Sequence, residues 1–591
     1  MRAISQFMWG FQPHFRMSLQ HAAESALGRI GIELRPTASL VGFRAADAPD
    51  GLRMCVEPET GAVQPEHLID VADQGRARYE SSGDADRFHT DPGLHQSTQA
   101  GYRDRHRADA LMQALARAPG GEGRTFLVGR SALIGDYDVH PVIAVDASAL
   151  ELLPKLTTTN HTNMHMTVSL PIGVIEYLLR LATRSMLFRE PPQSLLSGIA
   201  DAASDAIRDA AQHLVYSVAT MAGNFLAHGL YAALQELVNM PYEGRAGAGA
   251  FILAKATHPA VVVSIELTQP VEVGAGRQLR KLLEMTTPGL NLLCDGDQVY
   301  GLGYLDTSYD EASEEAFTLA VVSRGTWELS HGAKPLMRVT YGAPRLPRPR
   351  MSKERFADTV ARVFGHIAEG DIDRLWQVAE VAADAAHGTM LVISAAADAE
   401  TVRLAPQAIA IGPQPVAPET LRSLTRIDGA LLLAPDATCH AVGVILDGYA
   451  AGVGDPGRGA RYNSAVRYIQ TTQAPCVIVI VSEDGMIDIH PELAPRVSPA
   501  TVEAAVESFE QAASEAPIDF ERAYNCRRDI ERLSFYLTEA QASRANAATE
   551  QIEAERYRLS QMRIYLSPFR ADPRMSDSYF LPAGNDRAVL E

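Results

Sequence analysis

This chain should fold as a multidomain α/β protein, and three features of the sequence say so. Its 591 residues exceed what one hydrophobic core usually serves, and 46% hydrophobic residues give each of roughly three or four domains a core to bury. Uninterrupted β-branched runs such as TMLVIS (389–394) and CVIVIVS (476–482) suit strands buried on both faces. Stretches with apolar residues at helical spacing alternate with such runs, which is the pattern of sheets covered by helices.

Residues 1–155 read as an N-terminal α/β region, with strand-like runs at IGIELRP (30–36), GRTFLVG (123–129) and HPVIAVDA (140–147). The polar stretch GDADRFHTDPGLHQSTQAGYRDRHR (83–107) reads as a long surface loop, and the string Arg105, His106, Arg107 within it as solvated surface. Residues 156–243 are helical, as in IGVIEYLLRLATRSMLF (172–188) and NFLAHGLYAALQELV (224–238), with a PPQS break at 191–194. GAPRLPRPRMS (342–352) carries three prolines among arginines and reads as a linker. After it Phe356, Val360, Val363, Phe364 and Ile367 fall at helical spacing, and the α/β block that follows belongs to a domain spanning 353–499. Residues 500–566 are helical, and the tail 567–591 reads as frayed.

An internal repeat lies between. The segment 250–305 (AFILAKATHP to GLGYL) can be laid on 389–446 (TMLVISAAAD to GVIL), sharing a strand, QPV, an LRxL helix, a turn, LL and a glycine-bearing strand. FTLAVVSRGTWEL (317–329) then matches CVIVIVSEDGMIDI (476–489). Residues 244–341 are therefore expected to be a degenerate copy of the later unit: Pro288 stands where that unit has Asp428, Arg324 where it has Glu483, and DTSYDEASEEA where it has GRGARYNSAVRY.

The net charge of −19 excludes a general nucleic-acid or membrane-surface binder, since both partners demand a basic face. Five scattered cysteines without a CxxC spacing read as reduced thiols, with Cys439 and Cys476 as small core residues. Neither a signal peptide nor an apolar span is legible, so the expected location is the cytoplasm. His161 and His165 stand at i, i+4, but with no third ligand they read as part of a polar loop.

In the second copy three motifs recur in order at the ends of strand-like runs, where open α/β sheets gather their ligand loops: IDGA (427–430), GARYNSA (459–465) and VSEDG (481–485). Their order and spacing resemble the diadenylate cyclase (DAC) domain, whose members carry DGA, G-T-R-H-R and VSEE-type segments. The resemblance covers roughly residues 385–495 and implies condensation of two ATP molecules into cyclic di-AMP with release of two pyrophosphates. It further implies a divalent metal, Mg2+ or Mn2+, and face-to-face self-association of two such domains.

Carried onto this sequence, the resemblance makes Asp428 the carboxylate that holds metal and favours loss of the 3′-hydroxyl proton, with Glu483 as second acid. Gly429 and Ala430 let the nucleotide approach the backbone, and Gly459, Arg461, Tyr462, Asn463, Ser464 and Ser482 complete the ATP site. The family's T-R-H-R reads Ala460, Arg461, Tyr462, Asn463 here, so a hydroxyl, an imidazole and one guanidinium are absent. A charged contact commonly contributes about 1.5–3 kcal/mol, and Arg458 or Arg467 could restore it from a neighbouring position. Two functions follow: a synthase regulated by an N-terminal sensor region, or an inactive nucleotide-binding sensor or scaffold derived from that family. ATP is the expected ligand in both, without nucleic acid or membrane.

Overall fold

The computed structural model describes residues 8–45, 52–58, 64–157, 166–188, 194–195, 198–241, 249–287, 289–347, 353–383, 388–425, 427–448, 460–481, 487–561 and 565–581. They divide into two compact units, Met1–Arg348 and Pro349–Glu591.

The first unit opens with α1 (Gln12–Arg29). Gly31, at φ 94°, stops it: its N–H donates to the Gly28 carbonyl at 3.1 Å, and the Ile32 N–H donates back to the Leu27 carbonyl at 3.1 Å. This pair of bonds satisfies the last carbonyls of the helix and needs a left-handed residue, here glycine. The strand expected over IGIELRP is therefore replaced by a helix end, and the first strand begins at Thr37.

The following elements are β1 (Thr37–Arg44), β2 (Met54–Glu57), α2 (Val71–Ser81), α3 (Pro92–Arg117), β3 (Arg124–Val128), β4 (Ala132–Ile134) and β5 (Tyr137–Asp146). Then come α4 (Ala147–Glu151), α5 (Leu170–Met186), α6 (Ile199–Met221) and α7 (Leu230–Leu237). The strands form an antiparallel sheet in the order β2-β1-β5-β3, with β4 also on β5. Leu111 and Leu115 of α3 pack on Val142 and Ala144 of β5.

The surface loop expected over 83–107 holds for residues 83–91 and is corrected from Pro92 onward. Asp91 caps α3, its carboxylate accepting the Leu94 N–H at 2.6 Å, and Pro92 occupies the first turn. The charged residues from Arg103 to Arg107 lie on this helix. Arg107 donates Nε–H to Nε2 of fully buried His140 at 3.0 Å and pairs with Asp138 at 2.8 Å and Asp104 at 3.1 Å. His106 meets Asp84 at 3.2 Å. His106 and Arg107 are thus packing elements rather than solvated surface, while Arg105 is exposed as expected.

The rest of the unit is β6 (Gly249–Leu253), β7 (Val261–Glu272), α8 (Gly276–Leu283), β8 (Asn291–Cys294), β9 (Gln298–Leu305), β10 (Phe317–Ser323), β11 (Thr326–His331), β12 (Lys334–Thr340) and β13 (Ala343–Arg345). They form an eight-stranded sheet in the order β13-β12-β11-β10-β6-β8-β9-β7. Residues 343–345 of the expected linker thus belong to a sheet, and Leu346 is buried. Buried residues of α1, α5 and α6 (Phe15, Ile175, Leu214, Val218) share one continuous core with Phe251, Phe317 and Trp327 of this second sheet.

The second unit contains α9 (Lys353–Phe364), α10 (Glu369–Ala383), β14 (Thr389–Ser394), α11 (Ala397–Arg403), β15 (Ile409–Pro415), α12 (Pro418–Leu424), β16 (Ala430–Leu433) and β17 (Thr438–Val444). It continues with α13 (Ala460–Thr471), β18 (Cys476–Val481), β19 (Ile487–His490), α14 (Pro499–Ser514), α15 (Phe520–Arg532) and α16 (Glu539–Ser560). Its sheet runs β15-β17-β16-β14-β18-β19, with β14 and β16 parallel and the other pairs antiparallel. Every residue of β14, β16 and β18 is buried, as their apolar runs require. One face packs on α9, α10 and α12, and the other on α11 and α13.

In the first unit the path β7-β9-β8-β6-β10-β11 repeats this order, with β6 and β8 as the parallel pair and the other neighbours antiparallel. Helices α14 to α16 build a core of their own. The tail expected to fray is instead packed as far as residue 581: Phe569 is buried under the Arg527 guanidinium at 4.4 Å, and the Leu581 N–H donates to the Val497 carbonyl at 3.0 Å.

Candidate nucleotide-binding site

Antiparallel β18 ends where parallel β14 and β16 begin, because Thr389 faces Val481 and Met390 faces Ala430. The end of β18 at Val481, the residues just before β16 and, through Arg461, the start of α13 therefore meet at one end of the sheet. Asp428 lies there with its carboxylate almost fully in solvent, 97% exposed, and the Arg461 guanidinium reaches it at 3.4 Å from the first turn of α13. Two motifs separated by more than thirty residues are thus joined.

Gly429 has φ 110°, and a Cβ on it would stand 2.6 Å from the carbonyl carbon of Gly443 on β17. The glycine is required by its own fold: the turn carrying Asp428 lies directly on the neighbouring strand. Ala430 is buried beneath α13. Asn463 and Ser464 are half-buried on the first turns of α13. Gly459, Ser482 and Glu483 lie outside the described residues, as do Arg458, Pro288, His161 and His165.

Tyr462 is half-buried, and its ring meets the ring of His490 on β19 edge-on, with centroids 4.9 Å apart. The sequence reading missed His490, whose only signal was its place at the end of MIDIH. Ala465 and Tyr468 anchor the middle of α13 in the core, and the Tyr468 hydroxyl donates to Glu400 on α11 at 2.5 Å. Arg403 ties Glu400 at 2.7 Å to Asp447 at 2.9 Å. This network walls a groove of about 690 Å³ between α11 and α13, and neither Asp428 nor Arg461 lines it. Burial holds the thiols of Cys439 and Cys476 up at about 11 and about 12, so both act as core residues.

Among the described residues no three carboxylates, imidazoles or thiols gather closely enough to hold a metal by themselves. A single exposed carboxylate suits a hard divalent cation that takes most of its oxygen ligands from nucleotide phosphates and water, so Asp428 fits one.

An exposed acid and an arginine at one end of a mixed sheet covered by helices fit an α/β nucleotide-binding module. Comparison with protein families agrees. Residues 377–492 match the DAC family, described as the DisA bacterial checkpoint controller nucleotide-binding domain. Residues 8–215 match DACNG and residues 228–333 match DACNH, each described as a probable sensor domain. The chain carries a DAC domain of the DisA nucleotide-binding type at its C-terminal side, preceded by two probable sensor domains. None of the curated proteins matches it. Among the described residues no helix is long and apolar enough to cross a membrane.

Proposed function

We propose that the chain is a diadenylate cyclase that condenses two ATP into cyclic di-AMP and two pyrophosphates, under the control of its N-terminal sensor domains. The observation that carries this reading is the convergence of Asp428 and Arg461 at the loop end of a DAC-type sheet. Each 3′-oxygen bonds to the α-phosphorus of the other ATP, the bond from that phosphorus to the β-phosphate bridge breaks, and pyrophosphate leaves with the electron pair. Asp428 receives or orients the 3′-hydroxyl proton. Arg461, freed from Asp428, holds triphosphate oxygens by charge-assisted bonds. Positioning supplies most of the rate in such chemistry. Mg2+ or Mn2+ held by Asp428, and by Glu483 if it reaches, would neutralise phosphate charge. Gly459, Asn463, Ser464 and Ser482 are proposed as further nucleotide contacts.

We also propose that residues 244–341 are a degenerate copy of the DAC unit. The shared strand path and parallel pair support this, while the segment itself matches DACNH.

A second reading, an inactive nucleotide-binding sensor or scaffold, is favoured by Tyr462. Its ring is committed to His490, so it does not replace the missing family histidine. Incubation of the purified chain with ATP and either Mg2+ or Mn2+, followed by mass analysis of the nucleotides, separates the two. Cyclic di-AMP from the native chain and none from Asp428→Ala supports the cyclase. Bound ATP without product under both metals refutes it in favour of the scaffold.

A further inference from the structure

Helix α3 and the turns packed against it carry a second cluster of charged side chains, which the cyclase chemistry leaves unused. We propose that Arg105 and Arg130, with the Tyr102 hydroxyl and Arg87 beside them, form an anion-binding face on the segment matched by DACNG, and that it takes the phosphoryl group of a small ligand. Nothing in this site depends on the cyclase reading.

Acids outnumber bases in the chain by 72 to 53, so carboxylate partners are plentiful. Arg107 takes two of them, Asp104 and Asp138. Among the described residues neither Arg105 nor Arg130 pairs with any, although both are exposed. The flanking acids are committed elsewhere. Asp104 accepts the Ser131 N–H at 3.2 Å, the Ser131 hydroxyl at 2.5 Å and an Arg107 N–H at 3.1 Å. Asp84 meets His106 at 3.2 Å and Arg87 at 3.3 Å.

The scaffold holds these cations in place. The Arg130 carbonyl accepts the Thr183 hydroxyl of α5 at 2.7 Å, which fixes its backbone between β3 and β4. Its guanidinium lies across Gly101 of α3: Nη2 donates to the Gly101 carbonyl at 3.4 Å, and a Cβ on Gly101 would stand 3.4 Å from Nη2 and 3.5 Å from Nη1. Positions 101 and 105 are one helical turn apart, so Arg130 and Arg105 share one side of α3. The Arg105 guanidinium lies 5.4 Å from the centre of the Tyr102 ring. Arg87 lies 5.5 Å from the same ring and donates to the Tyr102 hydroxyl at 3.3 Å. The turn that brings Arg87 is fastened by Gln99, 5% exposed, whose amide donates to the Asp84 and Arg87 carbonyls at 3.3 and 2.6 Å.

A guanidinium resting on a ring keeps its in-plane N–H groups for other acceptors, and the Tyr102 hydroxyl, having accepted from Arg87, keeps its own proton to donate. Two such forks and a hydroxyl on one side of a helix suit phosphoryl oxygens, which guanidinium groups bind in pairs of charge-assisted bonds. Asp84 balances Arg87. Two positive charges are left, matching the roughly two negative charges of a phosphate monoester at neutral pH.

The test follows amide exchange of the full chain by mass spectrometry, with inorganic phosphate or AMP added at matched ionic strength. Slower exchange in residues 98–107 and 129–131 is expected. Arg105→Gln and Arg130→Gln should each raise the concentration for half-protection about tenfold, whereas Arg461→Ala should leave it unchanged. Circular dichroism checks that the variants, both at exposed positions, remain folded. Protection by phosphate and AMP at equal concentrations supports the site and assigns it to free phosphate; protection by AMP at much lower concentration supports it and assigns it to a phosphate ester. No protection by either probe at millimolar concentrations, or protection that both folded variants retain in full, overturns the proposal and leaves the cyclase reading untouched.

Discussion

Replacing Gly429 by alanine separates two reasons for a glycine at this site, nucleotide approach and fold. With φ at 110° an L-residue is strained, a cost of about 1–3 kcal/mol. The added Cβ would stand 2.6 Å from the Gly443 carbonyl carbon and 2.9 Å from its oxygen, so the β16 and β17 backbones must part. Overpacking of that kind costs about another 1–3 kcal/mol. Part of each is relieved by the same movement, which leaves roughly 2–4 kcal/mol against local closure of the turn. At 1.4 kcal/mol per decade, amide exchange in Ala430–Leu433 and Thr438–Val444 should accelerate by about thirty- to several-hundred-fold without any ligand. Hydrogen exchange read by mass spectrometry, on the native chain and the variant, measures this directly. Unchanged exchange in both strands together with weakened binding of α,β-methylene-ATP would refute the packing argument and assign the glycine to nucleotide approach.

Three other outcomes are expected. Arg461→Ala removes a charged phosphate contact and should weaken analogue binding by about ten- to a hundred-fold in calorimetry, with a shallower salt dependence. His140 is held down at about 4 by burial and by Arg107, so the folded state refuses a proton that the unfolded chain accepts below its ordinary value of 6.5. Stability is therefore full above that value, falls as the pH drops towards 4, and levels off below it. The loss attributable to His140 is about 3 kcal/mol, and acid unfolding of native and His140→Phe chains, followed by circular dichroism, should differ over that window. Arg527→Met removes the bonds to the Thr549 hydroxyl and the Ser567 carbonyl and the cation over Phe569, so limited proteolysis should cut residues 565–581 at least several-fold faster.

What the sequence made legible was the strand content of the second unit and the order of its motifs. Runs such as CVIVIVS carry their own burial, and Asp428 and Arg461 could be matched by type and order before any distance was known. The failures have local causes. IGIELRP reads as a strand-like run, whereas Gly31 stops the preceding helix, a role set by its positive φ and by its bonds back to the last turn. Residues 92–107 were read as a loop because charge outweighs apolar spacing there, yet Arg107 and Asp104 are held by partners on β5 and beside it that lie more than twenty residues away in the chain. His490 could not be foreseen for the same reason: only the hairpin and α13 together bring it to Tyr462. The tail reads as frayed because it is terminal, whereas Phe569, Tyr579 and Phe580 pack into the core of α14 to α16.

The core shared by α1, α5, α6 and the eight-stranded sheet changes what the boundary between the two sensor matches means. The DACNG match ends at residue 215, inside α6, and the DACNH match begins at 228. Severing the chain there would strip Leu214, Val218 and Ala219 of their neighbours on one side or the other. The two matched segments share one core, so they are expected to unfold together. A ligand that tightened one half would then raise the cost of loosening the other.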